Sequence, residues 1–65
     1  MTDYANRFRG VNLVGLFTAL EMEICDEDEM LALIKIRLRE STLPEIATVP
    51  VDTLRRYASR IGIAL

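Results

Sequence analysis

The stretch Asp26-Glu27-Asp28-Glu29-Met30-Leu31-Ala32-Leu33-Ile34-Lys35-Ile36-Arg37-Leu38-Arg39-Glu40 decides the fold. Read as a helix, it lines up Met30, Leu31, Leu33, Ile34 and Leu38 on one face. Met, Leu, Ala, Lys, Arg and Glu all favour that state. Read as a strand, Ile34 to Arg39 alternates apolar and basic residues, the period of a half-buried strand. The residues ahead of it separate the two. Asp26 followed by Glu29 has capping-box spacing, and acids crowded into a first turn suit the positive end of a helix dipole. The stretch therefore predicts a helix, and the chain an all-α domain of three to four short helices. The alternative is a strand at 31–39 followed by two helices.

Upstream, Val11 to Ile24 reads as the first substantial helix. Leu13, Leu16, Phe17, Leu20 and Ile24 recur at three- and four-residue spacing, and Val11, Val14 and Met22 widen the stripe. A helix apolar over most of its circumference calls for burial on two sides. Gly15 and Ala19 leave room for a close backbone. The stripe is assigned to self-association, with a helix central to a single core as the alternative. Residues 1–10 are polar and read as a flexible N-terminal arm, where Thr2 or Asp3 caps a short turn that Gly10 ends. The single small domain is then 11–65.

Downstream, Ser41 and Thr42 are cap-type residues and Pro44 suits a first helical turn, which predicts a short helix over Leu43–Thr48. Pro50 stops it and pushes Val49 toward an extended conformation. Asp52 is the expected N-cap of a last helix from Thr53 to Ile61. Its inner face is Leu54, Tyr57, Ala58 and Ile61. Its outer face is Arg55, Arg56, Ser59 and Arg60. Gly62 is a natural stop, and Ile63 and Leu65 end the chain apolar.

Composition narrows the function classes. The chain has 65 residues, of which 51% are hydrophobic. A domain this small buries only about 60% of its unfolded surface, and such domains find stability in disulfides, metals or partner chains. Cys25 is alone and there is no His, so neither a disulfide within the chain nor a metal is expected. Association with a second copy, as a homo-oligomer and most simply a dimer, is the remaining route. The net charge of −2 is unevenly spread. Residues 1–34 hold two arginines against seven acids and carry −5, while residues 35–65 hold six cations against three acids and carry +3. Such a dipolar chain can pair head to tail or show its basic half to an anionic partner. The lone cysteine suits a reducing compartment, no signal peptide is visible, and the apolar run Val11–Leu20 is far short of the ~20 residues a bilayer span needs. A cytoplasmic protein with no membrane partner is expected. The acidic run lacks the alternating ligands and glycine of a calcium loop, and no nucleophile stands near it, so no enzyme activity and no cofactor are expected.

Glu45-Ile46-Ala47, then Val49-Pro50-Val51-Asp52-Thr53-Leu54-Arg55 and Ile61-Gly62, resemble the helix-turn-helix of MerR-type transcription regulators. The resemblance covers residues 45–62. It departs from that family in its shortened first helix, its missing turn glycine and its lack of a following wing. It implies that Asp52, Thr53, Arg55 and Arg56 face DNA and that Tyr57 touches phosphate. Basic and hydroxyl side chains at a helix start suit the major groove. A pI near 4.9 does not. The same helix also reads as a protein interface, because Tyr and Arg are favoured at binding hot spots. The leading expectation is a small regulatory protein that binds a larger protein, in control of gene expression or as an inhibitor. It would do so through Asp52, Thr53, Arg55, Arg56, Tyr57, Ser59 and Arg60. Direct DNA binding through 43–62 is the alternative.

Overall fold

The computed structural model describes residues 4–63. Among these the chain forms five helices: α1 (Tyr4–Arg7), α2 (Leu13–Glu21), α3 (Glu27–Glu40), α4 (Leu43–Ile46) and α5 (Val51–Ile61). No described residue is in a strand, so the alternation over 34–39, and with it the alternative strand at 31–39, is overridden by the cap ahead of it. Asp26 accepts the Glu29 backbone N–H at 3.0 Å, and Glu27, Asp28 and Glu29 fill the first turn of α3. Arg37 and Arg39 lie in its last turn, so charge and dipole agree at both ends. The capping box is only half made. The Asp26 N–H donates to the Tyr4 hydroxyl at 2.7 Å, and no donor among the described residues reaches the buried Glu29 Oε2.

The expected helix over Val11–Ile24 is shorter at both ends. Asn12 caps α2 by accepting the Gly15 N–H at 2.8 Å. At the other end the chain turns through Glu23, which sits in the left-handed region at φ 57°. Glu23 N–H donates to Leu20 O and Ile24 N–H to Ala19 O, the two bonds of a Schellman motif. Ile24 therefore lies past the helix, and it is 65% exposed. The expected self-association seam is corrected with it. Leu13, Leu16, Phe17 and Leu20 are buried within the chain's own core, Leu16 with no exposed surface at all. They are consumed by packing against α3 and α5, the single-core arrangement.

That core joins α2 to Met30, Leu31, Leu33 and Ile34 of α3 and to Val49, Leu54, Tyr57 and Ile61 around α5. Phe17 and Tyr57 hold their ring centroids 5.9 Å apart. The core reaches into the segment expected to be a flexible arm. Tyr4 is buried, and half-buried Phe8 packs against the core. The Arg37 guanidinium donates to Val11 O at 2.8 Å, Phe8 O at 2.7 Å and Arg9 O at 3.1 Å. One side chain from α3 thus ties down the turn between α1 and α2. Arg7 stacks over the Tyr4 and Phe8 rings at 5.8 and 5.6 Å. Packing onto the core thus already includes Tyr4 and Phe8 among the described residues. The caps expected at Thr2 and Asp3, and Leu65, lie outside the described residues.

Helix α5 begins two residues earlier than expected. Pro50 is its N-cap, and Leu54 N–H donates to Pro50 O at 3.1 Å. A cap position needs no N–H of its own, which is why proline is tolerated there. Asp52 then lies in the first turn rather than at the cap. The stop is as expected. Gly62 adopts φ 87°, and both Gly62 and Ile63 donate to Ala58 O.

Candidate docking groove

The side chains predicted to bind a partner or DNA fall into two groups. Thr53 and Tyr57 are buried, Thr53 with only 8% of its surface exposed. They cannot face a ligand as the sequence pattern suggested: the helix starts at Val51, and its inner face includes Thr53. Asp52, Arg55, Arg56, Ser59 and Arg60 are exposed. Two of these arginines are engaged inside the fold. Arg56 pairs with Glu21 at the end of α2. Arg60 forks onto both Glu27 carboxylate oxygens at 2.7 and 2.8 Å. The hydrogen bond from Arg60 holds the Glu27 carboxyl below the usual carboxylate range, and the same bond raises Arg60. The outer face of α5 is thus partly neutralised by the acidic half of the chain. Arg55 makes no ion pair among the described residues.

The acidic run is also absorbed by structure. Asp26 caps α3, Glu27 pairs with Arg60 and Glu29 turns partly inward. Cys25 is half-buried, and its thiol lies 3.6 Å from Ala19 O. Burial pushes that thiol's pKa up, the Asp26 charge adds to the rise, Arg7 opposes it and Glu27 adds a little more. No group of three His, Cys, Asp or Glu side chains among the described residues is placed to hold a metal ion.

A different site emerges where the last turns of α3 meet α4 and the end of α5. Leu38, Ile46, Leu54 and Ile63 floor a groove, and Lys35 and Arg39 stand at its rim with Gly62. Its volume is about 260 Å³. That is below the ~300–1,000 Å³ of small-molecule sites, and fits one or two aliphatic side chains. Gly62 lets the chain reverse so that Ile63 reaches the floor. The described lining holds two cations and no carboxylate. The pattern analysis missed this groove because its floor comes from four separate segments. Two local signs were present: Lys35 and Arg39 four apart around Leu38, and an apolar residue directly after the stop at Gly62.

Elsewhere the surface leaves Met22, Ile24, Ile36, Leu43 and Val51 as exposed large apolar side chains among the described residues, Leu43 at 81%. No helix among the described residues is long and apolar enough to cross a membrane. No family model, curated protein or solved structure matches this chain.

Proposed function

We propose that the chain is a small non-enzymatic regulatory protein that works by docking onto a larger protein, and that the groove between α3, α4 and α5 is its binding site. The observation that carries this reading is the pairing of an apolar floor with a rim whose charges, among the described residues, are both cationic. Such a surface suits an apolar side chain flanked by carboxylates on the partner. Apolar contact supplies affinity there, and the charges set register and exclude basic partners. The test is capture with the tagged full-length chain in cells that make it, beside a Lys35→Glu/Arg39→Glu variant. A protein retained by the former and lost by the latter supports the groove. Identical captured sets refute it.

Direct DNA binding is the rival proposal, and the arrangement of α5 weighs against it. It would run on Arg55 together with Arg56 and Arg60, released from their carboxylates. Exposed ion pairs give up little when exchanged, but Thr53 and Tyr57 stay in the core. A mobility shift that weakens steeply with salt and is lost in Arg55→Ala/Arg56→Ala would instead favour DNA.

A further inference from the structure

We infer that the groove accepts the acidic turn of a second copy, so that the protein associates head to tail through unlike ends; this rests on the groove being a docking site. The turn following α2 presents Met22 and Ile24, 63% and 65% exposed, on either side of the exposed acid Glu23. In a Schellman turn the residue at the Ile24 position commonly folds back onto the helix, but here it stays out in solvent. Its outward pose is held by the two backbone bonds to Ala19 and Leu20, with Glu23 in a left-handed conformation that a side chain disfavours. The turn is thus a fixed knuckle: two aliphatic side chains around a carboxylate. The groove offers the complement, with an apolar floor of one- or two-side-chain size between Lys35 and Arg39.

A chain cannot fill its own groove with this knuckle. Helix α3 lies between them, and the twelve steps from Asp26 to Leu38 span about 18 Å at 1.5 Å per residue. The two surfaces therefore sit toward opposite ends of α3. The charges at the two surfaces, Glu23 on the knuckle against Lys35 and Arg39 on the groove, align successive copies in the same sense. Contact between unlike surfaces leaves one knuckle and one groove free on every dimer, so growth continues until a ring closes.

The test uses sedimentation velocity on the full chain and two variants, each altered only at exposed side chains, with circular dichroism to confirm folding. Lys35→Glu/Arg39→Glu removes the groove, and Met22→Ser/Ile24→Ser removes the knuckle. The unaltered protein is expected to grow in mass with concentration and to shrink with added salt. Each variant alone is expected to associate at least tenfold more weakly. Mixed, the two retain one intact groove and one intact knuckle between them, so they form a 1:1 dimer and nothing larger. Unaltered protein that stays monomeric at about 1 mM overturns the inference, as does a mixture that stays monomeric or a variant that associates as well as the unaltered chain. A many-fold rise in association on Leu65→Ser also overturns it, because the chain's own end would then be the groove's occupant. Loss of partner capture in Lys35→Glu/Arg39→Glu alongside a monomeric unaltered protein removes self-docking and leaves the groove assignment standing.

Discussion

Replacing Arg37 with alanine should be among the most damaging changes outside the apolar core. The guanidinium spans two part-buried carbonyls, Phe8 O and Val11 O, and the exposed Arg9 O. Hydrogen bonds from a charged donor contribute about 1.5–3 kcal/mol each. Phe8 O keeps the Val11 N–H at 3.0 Å after the change, and Arg9 O is free to take water. Val11 O loses its one hydrogen bond among the described residues. A net cost of about 2–4 kcal/mol follows, less than the gross sum because these carbonyls lie near solvent. At about 0.05–0.15 kcal/mol per residue, a chain of this length has only ~3–10 kcal/mol in total. Arg37→Ala should therefore lower the thermal midpoint by at least ~8 °C and unfold Tyr4 and Phe8 first. Arg37→Lys, a point charge that cannot fork across three acceptors, should fall between. Arg39→Ala, two residues on and exposed, is the control and should stay within about 0.5 kcal/mol. Thermal and urea unfolding followed by helical circular dichroism measure all three. An Arg37→Ala midpoint indistinguishable from that of Arg39→Ala would refute the reasoning.

Four other outcomes are expected. Glu23→Gly should raise stability by about 0.5–1 kcal/mol: relief of a left-handed side chain outweighs the added freedom of the unfolded chain. Gly62→Ala, which puts a side chain at φ 87°, should lower it by about 1 kcal/mol or more; thermal melts at low concentration read both. Glu27 ionises more readily in the folded chain than in the unfolded one, so the support it gives is full above the ordinary Glu value of about 4.3 and disappears as pH falls through its lowered folded value. The gap in urea midpoint between the unaltered chain and Glu27→Gln should accordingly be present near neutrality and close in acid; a gap unchanged at low pH contradicts the pairing with Arg60. The Cys25 thiol, its pKa pushed up by burial and by Asp26, should react with iodoacetamide more slowly at neutral pH than the same thiol in urea; equal rates would mean that the site is open.

What could be read from the chain, and what could not, divides by distance along it. The cap at Asp26, the stop at Gly62 and the inner positions Leu54, Tyr57 and Ile61 are set by neighbours within four residues, and all were legible. The end of α2 was not, because a glutamate, not a glycine, takes the left-handed position at Glu23. The arm that is no arm escaped for a related reason. Tyr4 docks on Asp26, and Phe8 and its neighbours on Arg37, across 22 to 29 residues. Only Tyr4 and Phe8, two aromatics four apart in a polar segment, hinted at it. Excess hydrophobicity was rightly seen but wrongly placed: the stripe on α2 is spent internally, and the uncovered apolar residues are Met22, Ile24, Leu43 and Val51 near helix ends and turns, with Ile36 on the outer face of α3. The basic outer face of α5 was legible as charge, but its neutralisation by Glu21 and Glu27 depends on how three helices come together.

The reach of Arg37 back to the turn at Phe8–Val11 also has a bearing on biosynthesis. That turn leaves the ribosome well before the guanidinium that fastens it, by 26 to 29 residues. At about 5–20 residues per second it waits on the order of seconds with Phe8 and Tyr4 unsheltered. A nascent chain whose Arg37 is still inside the ribosome while the Phe8–Val11 turn is out should thus present an amino-terminal segment open to chaperones and proteases, and one whose Arg37 has emerged should not.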